Sequence, residues 1–412
     1  MNSGHGVNFR RLAEREVVWN DAGMYSQRSK DVSFFAESNF RNRRTPIGIR
    51  EADRLSHMYI IGKTGVGKST LLETLALQDL ASGRGFALVD PHGDLVERVV
   101  ANVPDEQRSR VVYLDATDPQ QPFGYNPLRR IRNDKIPLAV SGLLETLRKL
   151  WPDAWGVRME HVLRNSLYAL LERDNSTLPD ILRLYSDEDY RNSIVADIQN
   201  ETVRRFWMYE FENYPARMRA EACAPIQNKL GALLSDPALY RLLVAPEIDL
   251  HFRALMDEGM VLLVNVSKGQ LGEDSSHLLG ALILSTLTLA ALSRAETSVR
   301  RPYFVYADEF QAFTTLMIAT MLPELRKYGI ALTLAHQYLA QLDSEIRSAV
   351  LGNAGTLIAF RVGAEDAPFL ARELQPRFQA EDLINLPNHE TYIRLMIDGS
   401  PSRPFSGRII AP

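Results

Sequence analysis

Residues 57–70, HMYIIGKTGVGKST, join a short apolar run to a glycine-rich turn that few folds can accommodate. Met58–Ile61 predicts a buried strand, and a helix is predicted over 69–81. The intervening glycines allow positive φ angles, which turn backbone N–H groups towards an oligophosphate at the helix N-terminus. The pattern G-x-x-x-x-G-K-[ST] therefore predicts binding of a nucleoside triphosphate such as ATP. The predicted binding residues are Gly62, Lys63, Thr64, Gly65, Val66, Gly67, Lys68, Ser69 and Thr70.

Two side chains of this loop have distinct expected roles. Lys68 is expected to reach the β- and γ-phosphates, and the Ser69 hydroxyl is expected to ligate Mg²⁺. The alternative is a glycine turn with an incidental lysine. That alternative does not account for the apolar strand before the turn and the helical spacing of leucines after it.

Apolar, β-branched runs bounded by turn residues recur along the chain and predict seven strands. They are Met58–Ile61, Phe86–Asp90, Val111–Leu114, Met260–Val266, Tyr303–Asp308, Ile330–Ala335 and Gly355–Arg361. Helical periodicity lies between most of them, for example over 276–294 and 313–327. This alternation predicts an α/β fold with a mostly parallel sheet covered by helices on both faces.

Residues 134–245 contain helical patterns and no convincing strand, which predicts an all-α insertion. We therefore predict an N-terminal arm or small subdomain (1–50), a discontinuous nucleotide-binding domain (51–133 and 246–412) and the insertion (134–245). The aromatic residues of the insertion favour a core of its own over a base-stacking surface. They are Trp151, Trp155, Phe206, Trp207 and Tyr209.

The composition limits the partners that the chain can bind. With 47 Lys and Arg against 51 Asp and Glu, the net charge of −4 excludes an overall basic footprint for nucleic acid. Residues 1–50 hold nine basic and five acidic residues, with Arg41, Arg43 and Arg44 clustered, and a solvated arm is the favoured interpretation. The single cysteine, Cys223, excludes an internal disulfide and is expected to be buried in a helix.

The longest apolar run, Leu278–Leu292, is too short and too rich in Ser and Thr to cross a bilayer. A helix buried on all sides is the better interpretation. No signal peptide opens the chain. We therefore expect a cytoplasmic protein without a membrane span.

Two consecutive acids, Asp308 and Glu309, end the apolar run that begins at Tyr303. Asp308 is predicted to hold Mg²⁺ through its water shell, and Glu309 to orient and deprotonate an attacking water. A strand that ends in solvent shows the same pattern. The phosphate-binding loop in the same chain favours the hydrolytic interpretation.

Gln337 follows the strand predicted over Ile330–Ala335 and could bond the γ-phosphate or the attacking water, although a polar loop start is the alternative. The turn after the second strand offers further candidates, since Asp90, His92 and Asp94 could touch the water or metal indirectly. Asp94 could equally be a first-turn acid that favours its helix.

Arg326 belongs to the sequence Leu-Arg-Lys-Tyr-Gly at the predicted end of a helix. Positive charge in a last turn followed by a glycine cap explains this pattern without any catalytic role. The alternative is an arginine finger that projects into a neighbouring subunit and stabilises charge on the transferred phosphoryl group.

These motifs, in this order, resemble the HerA/FtsK superfamily of P-loop ATPases. The resemblance is closest to HerA-type ATPases and to the cytoplasmic part of type IV secretion (conjugative) coupling proteins. The residues that carry it are Gly62–Thr70, Asp90–Asp94, Tyr125–Leu128, Asp308–Phe310, Arg326–Gly329, Gln337 and the stretch from Asn353 to Arg361. The resemblance spans roughly residues 50–362, which is most of the chain.

The resemblance implies a RecA-like core of the ASCE type, with the catalytic glutamate on an additional strand and an all-α inserted domain. It also implies a ring of six subunits with DNA in a central channel. Arg326 would act across the subunit boundary, with Arg361 as a second candidate. The chain departs from coupling proteins in lacking two N-terminal membrane helices, and from HerA in having too few N-terminal residues for a barrel domain.

The sequence thus predicts a soluble, ring-forming enzyme that uses Mg-ATP hydrolysis to move DNA without sequence specificity. Lys268, in a loop after a strand, is a candidate for the channel wall. The main alternative is a protein-handling or scaffold ATPase of a secretion or defence complex, with a partner such as a nuclease or relaxase. A slow nucleotide-gated switch is a third interpretation. The tail Pro401–Pro412 is expected either to cross to an adjacent subunit or to form an edge strand.

Overall fold

The computed structural model describes residues 31–39 and 44–412 and is built around one sheet of eleven strands. Two further pairs of two-residue strands, Phe123–Gly124 with Ile248–Asp249 and Met396–Ile397 with Ser400–Pro401, lie outside that sheet. The strands are β1 Val32–Ser38, β2 Pro46–Arg50, β3 Met58–Ile61, β4 Gly85–Asp90, β5 Val111–Asp115, β6 Phe123–Gly124, β7 Ile248–Asp249, β8 Val261–Asn265, β9 Tyr303–Ala307, β10 Ile330–His336, β11 Thr356–Ala359, β12 Glu390–Arg394, β13 Met396–Ile397, β14 Ser400–Pro401 and β15 Phe405–Ile409.

Helices surround the sheet, and the longest run of consecutive helices lies between β6 and β7 in the sequence. The α-helices are α1 Glu51–Arg54, α2 Lys68–Ala81, α3 Asp94–Ala101, α4 Ile136–Leu150, α5 Val157–Leu171, α6 Leu178–Ser186, α7 Glu188–Asp197, α8 Glu201–Arg205, α9 Ala216–Leu234, α10 Pro237–Leu243, α11 Phe252–Glu258, α12 Lys268–Leu271, α13 Glu273–Ser293, α14 Leu316–Leu325, α15 Ser344–Asn353, α16 Ala367–Glu373 and α17 Ala380–Ile384. A π-helix, Phe206–Phe211, continues α8.

Seven parallel strands form the larger part of the sheet, in the order β11-β3-β10-β9-β4-β8-β5. They are the seven strands predicted from the sequence. Every residue of β3, β4, β8, β9 and β10 is buried. Helices on both faces exclude water from these strands, which explains why they are continuous apolar runs. The predicted α/β class with a mainly parallel sheet is confirmed.

Four antiparallel strands extend the sheet beyond β11, in the order β2-β1-β15-β12. The tail therefore returns to its own chain, because β15 pairs with β1 on one side and with β12 on the other. The expectation that the tail crosses to a neighbour or forms an edge strand is wrong. Strands β1 and β2 place the described part of residues 1–50 in the same sheet, whereas Arg41 and Arg43 lie outside the described residues.

Between β6 and β7, every regular element of residues 125–247 is a helix, and we call these residues the helical stretch. Their apolar side chains join the core of the main sheet. One continuous apolar cluster runs from Leu143 and Leu170 in these helices to Val305 and Leu332 in the sheet. Of the predicted aromatic core, Trp151, Phe206 and Trp207 are buried and Trp155 is partly buried. Tyr209 is 60% exposed and does not belong to that core.

The long apolar helix α13 packs inside the protein, as predicted. In the described ranges one helical stretch, Glu273–Glu296, has the length and composition of a membrane span, but 72% of its apolar window is buried. Cys223, also as predicted, is buried in helix α9.

Candidate functional site

The loop Gly62–Ser69, which we call the nucleotide loop, connects β3 to α2. Gly65 and Gly67 have φ angles of +77° and +116°, in the left-handed region that favours glycine. A β-carbon at Gly67 would lie 2.9 Å from His389 Nδ1, whereas a β-carbon at Gly65 would meet nothing within 4 Å. The loop is thus closely packed on its inner side and open on its outer side. That open side is where the sequence predicts the phosphates.

Lys68, the first residue of α2, folds back over the nucleotide loop. Its ammonium donates hydrogen bonds to the carbonyl oxygens of Gly62 (2.7 Å) and Lys63 (3.0 Å). Burial lowers the pKa of Lys68, while the carboxylates of Asp308 and Glu309 oppose that shift. The cation is therefore held over the loop by two neutral carbonyl acceptors.

Neighbouring segments hold the nucleotide loop in place through backbone hydrogen bonds. Lys63 N donates to Arg361 O (2.9 Å), and His389 N donates to Val66 O (2.8 Å). The Arg361 guanidinium donates to Leu386 O (3.2 Å) and to Asn388 Oδ1 (2.8 Å). The structure thus places Arg361 beside the nucleotide loop of its own chain.

Asp308 and the nucleotide loop meet, although 239 positions separate their residues in the sequence. Ser69 Oγ donates a hydrogen bond of 3.0 Å to Asp308 Oδ2. Asp308 is only 4% exposed, and its burial together with the charges of Asp90 and Glu309 raises its pKa to about 6. A buried carboxylate with acidic neighbours favours a cation beside it.

Glu309 is held by two amide side chains. Gln337 Nε2 donates to Glu309 Oε1 (2.8 Å), and Gln311 Nε2 donates to Glu309 Oε2 (2.7 Å). The backbone of Glu309 has φ +47° and ψ +46°, a left-handed conformation that is uncommon for a residue with a side chain. The structure thus brings the acidic pair Asp308-Glu309 together with Gln337, which was predicted as a separate candidate.

Gln311 was missed by the sequence analysis. The only feature of the sequence that could have indicated Gln311 is its position two residues after an acidic pair. Amide side chains are common at such positions in loops. The left-handed backbone at Glu309 turns the chain so that the Gln311 side chain reaches back to that carboxylate. Because Glu309 is not a glycine, the sequence does not indicate this left-handed conformation.

The turn after β4 has a structural role in this chain. Asp90 Oδ1 accepts a hydrogen bond from His92 N (2.8 Å), and Asp90 Oδ2 accepts one from Leu95 N (2.8 Å). Asp90 thereby satisfies backbone donors at the start of α3, in whose first turn Asp94 lies. His92 is exposed and has no hydrogen bond from its side chain among the described residues.

Arg326 and Lys268 are both exposed. Arg326 lies in a single 3-10 turn after α14, and the turn ends at Gly329 with φ +75°. Lys268 begins α12, just after the carboxyl end of β8. Within residues 31–39 and 44–412, neither side chain has a hydrogen bond or an ion pair. Both cations are therefore available to groups outside the chain.

The residues present fit a magnesium-bound triphosphate. Mg²⁺ prefers oxygen ligands and keeps several waters, so that one carboxylate and one hydroxyl suffice beside the phosphates. Asp308 and Ser69 supply that pair. In the described part of the chain, no group of three or more His, Cys, Asp or Glu side chains is arranged as an all-protein metal site. The donor set thus suits a shared site between protein and nucleotide.

A family model matches more than half of the chain. The family described as the central domain of the helicase HerA matches residues 39–286. This range includes the nucleotide loop and the whole helical stretch, and it ends within α13. No curated protein matches the chain by sequence.

Solved structures share the fold at low sequence identity. The bacterial conjugative coupling protein TrwB, in a complex with ADP and Mg²⁺, is 18% identical and gives a TM-score of 0.63, with 88% of this chain and 87% of TrwB covered. VirB4 of Thermoanaerobacter pseudethanolicus is 14% identical with a TM-score of 0.62, over 92% of this chain and 96% of VirB4. These similarities confirm the predicted RecA-like architecture.

Proposed function

This chain belongs to the family of the HerA helicase central domain, and from that premise we propose that it is an ATPase that moves DNA. The observation that carries the ATPase part of the proposal is the meeting of Ser69 in the nucleotide loop with Asp308 at the end of β9. The part of the proposal that concerns DNA is supported by the family. Glu309, next to Asp308, stands beside the same site. An open phosphate loop, a buried carboxylate and a second carboxylate held by amides are the parts that phosphoryl transfer to water requires.

The nucleotide loop would bind the phosphates of ATP, and Ser69 and Asp308 would hold Mg²⁺. When bound, Mg²⁺ neutralises charge on the β- and γ-phosphates. Lys68 would exchange its present carbonyl partners for phosphate oxygens, because a charged acceptor forms a stronger hydrogen bond than a neutral one.

Glu309 would orient the attacking water and accept its proton. Gln337 and Gln311 bond opposite oxygens of the Glu309 carboxylate, so they would set its direction. Gln337 stands at the end of β10, between β3 and β9, and would respond to the γ-phosphate through its amide. Asp90 would act indirectly, by raising the pKa of Asp308 and fixing the start of α3.

We assign Arg326 as the arginine finger of a ring, which we propose has six subunits. Its side chain is exposed and has no partner in the described part of the chain, as a group that acts in a neighbouring site requires. Arg361 is the weaker candidate, because its guanidinium is bonded to residues of its own chain. Lys268 would face DNA in the channel, where a few cations suffice despite the net negative charge.

A second candidate function is a protein-handling ATPase of a secretion or defence complex, with a partner such as a nuclease or relaxase. One observation favours a protein partner. The helical stretch exposes large apolar side chains, namely Val157, Met208 and Tyr209. Both candidates place the enzyme in the cytoplasm, and both require the same hydrolytic site.

The deciding experiment measures steady-state ATPase activity with Mg²⁺, without DNA, with single-stranded DNA and with double-stranded DNA. We expect stimulation by DNA that falls as salt rises from 50 to 200 mM, because phosphate contacts release counterions. Mass photometry in the same buffers measures the size of the ring. Stimulation by a partner protein but not by DNA would replace the first candidate with the second.

A matched pair of lysine variants controls that experiment. Lys68→Ala is expected to abolish turnover, whereas Lys229→Ala, at an exposed position of α9, is expected to retain it. If the unaltered protein hydrolyses no ATP under any of these conditions, the proposed function is rejected.

A further inference from the structure

One face of α4, in the helical stretch, touches the segment that follows Glu309. Lys149 Nζ donates hydrogen bonds to the carbonyl oxygens of Gln311 (2.6 Å) and Thr314 (2.9 Å). Glu145 Oε2 accepts a hydrogen bond from Met317 N (2.7 Å). The spacing of four residues between Glu145 and Lys149 places both side chains on the same face of the helix. We call residues 310–317 the anchor segment.

The backbone of α4 also approaches the anchor segment closely. A β-carbon at Gly142 would lie 2.4 Å from Met317 Sδ, so any larger residue would require the Met317 side chain to move. Gly142 lies three residues before Glu145, on the same side of the helix. Three positions on one face of α4 thus meet one segment of the nucleotide-binding core.

The anchor segment connects this face of α4 to the catalytic carboxylate. The Gln311 carbonyl accepts from Lys149, and the Gln311 side chain donates to Glu309 Oε2 (2.7 Å). Phe310 fixes the other side of the segment, since its buried ring packs edge-on against Tyr59 and His336. A displacement of α4 would therefore act on Gln311 while Phe310 stays with the sheet.

Lys149 contacts the backbone of the anchor segment. Among the described residues, no carboxylate lies within ion-pair distance of its ammonium. Much of its side chain contacts solvent, but its ammonium lies against two carbonyls. Surrounding protein lowers its pKa to about 8, with Asp343 as the opposing charge and His277 as the other titratable group nearby. The adjacent Arg148 instead pairs with Glu160 in α5.

We propose that Lys149 and Glu145 are positioning residues through which the helical stretch controls the orientation of Glu309. Helix α4, with 15 residues, is a rod about 22 Å long, and α5 packs along it. A force that displaces the helical stretch would then be transmitted to the anchor segment through α4. The inference rests on the proposed ATPase function for its effect on turnover, but the contact itself can be measured without turnover.

The first measurement is hydrogen exchange of the nucleotide-free protein. In Lys149→Met we expect faster exchange of backbone amides in residues 310–317, with unchanged exchange in the nucleotide loop. Arg148→Met is the matched control, because it removes the same charge from the next position of α4 and is expected to leave residues 310–317 unchanged. Equal exchange of residues 310–317 in the Lys149→Met and unaltered proteins would overturn the proposal.

The second measurement is steady-state ATP hydrolysis. Lys149→Met is expected to lower kcat about tenfold with KM unchanged, because the nucleotide loop is intact, and Lys149→Arg is expected to restore most of the rate. An unchanged kcat in Lys149→Met, or an equal loss in Arg148→Met, also overturns the proposal. An unaltered protein without any turnover rejects the ATPase function instead, and the exchange data still decide the anchoring.

A variant that does not fold would not end the test. Thermal unfolding is measured first for each protein. If Lys149→Met is unfolded at the assay temperature, Glu145→Ala replaces it, with faster exchange of the Met317 amide as the expected result. Unchanged exchange of that amide in a folded Glu145→Ala protein would contradict the role assigned to this face of α4.

Discussion

Ser69 Oγ lies 3.0 Å from Asp308 Oδ2, although β3 and β9, the strands that precede these residues, are not neighbours in the sheet. Strand β10 lies between β3 and β9 and is parallel to both. The carboxyl ends of the three strands therefore meet at one edge, with Gln337 between the two halves of the site. This order explains how Gln337 reaches Glu309 across the strand ends.

Glu309→Gln should abolish hydrolysis and leave nucleotide binding intact. The substitution keeps the size of the side chain but removes the proton acceptor, and loss of a general base typically costs about 10²–10⁴-fold in rate. Turnover is measured by phosphate release and binding by a fluorescent ATP analogue. Glu324→Gln, at an exposed position of α14, is the matched control. Hydrolysis at the normal rate in Glu309→Gln would remove Glu309 from the catalytic assignment.

Gln337→Ala should lower kcat about tenfold with little effect on KM. The loss leaves Glu309 Oε1 without its amide donor, so the carboxylate is oriented by Gln311 alone. Single-turnover hydrolysis separates this effect from product release. Gln270→Ala, at an exposed position of α12, is expected to behave like the unaltered protein. A raised KM with a normal kcat would instead assign Gln337 to nucleotide binding.

The sequence was sufficient to predict the parallel part of the sheet because burial on both faces leaves a strong apolar signal. Strand β3 was predicted with its observed bounds, and the six other parallel strands with bounds one or two residues different. Strand β12 alternates between buried and partly buried residues over only five positions, which gives a much weaker pattern. The antiparallel strands β1, β2 and β12 were therefore missed, and the tail strand β15 was expected only at an edge of the sheet.

The candidate site was predictable where a short, continuous segment of sequence contains the functional residues of a known kind of site. The nucleotide loop and the pair Asp308-Glu309 are of this kind. Gln311 and Lys149 are not, because their importance depends on a left-handed turn at Glu309 and on the packing of α4 against residues far along the chain. Long-range packing of this kind leaves no local signal in a single sequence.

Asp308→Asn should stabilise the nucleotide-free protein at pH 7 while it weakens magnesium-dependent nucleotide binding. The pKa of Asp308 is raised to about 6 from an ordinary value of 3.8, so the folded state prefers the protonated acid. The stability that this preference contributes is fully present below pH 3.8 and is lost as the pH rises through 6. Removing the charge should therefore add about 3 kcal/mol to the free energy of unfolding at pH 7.

Urea unfolding at pH 7 and at pH 5, without nucleotide, checks this prediction for Asp308. The gain in Asp308→Asn should be smaller at pH 5, where the native carboxyl is mostly protonated. Asp398→Asn, at an exposed turn, is the control. A lower free energy of unfolding in Asp308→Asn at pH 7 would contradict the prediction.

Two buried histidines should make the protein sensitive to acid. Burial lowers the pKa of His57 to about 4 and that of His336 to about 3, below the ordinary value of 6.5. His57 Nε2 lies 2.9 Å from Leu322 O, and His57 Nδ1 accepts from Leu332 N (3.0 Å), which requires the neutral ring. A lowered pKa contributes stability that is present above pH 6.5 and is lost as the pH falls towards 4.

We therefore expect the free energy of unfolding to fall by about 1 to 2 kcal/mol per buried histidine between pH 7.5 and pH 5. His57→Asn should reduce this dependence, because asparagine tolerates the φ of +63° at this position and its amide does not titrate. His92→Asn, at an exposed position, should leave the dependence unchanged. Urea unfolding at the two pH values gives the comparison. His57 can take up a proton in acid only when unfolding exposes its ring, so removing the ring should weaken the pH dependence. Equal pH dependence in His57→Asn and the unaltered protein would show that the acid sensitivity arises from other groups.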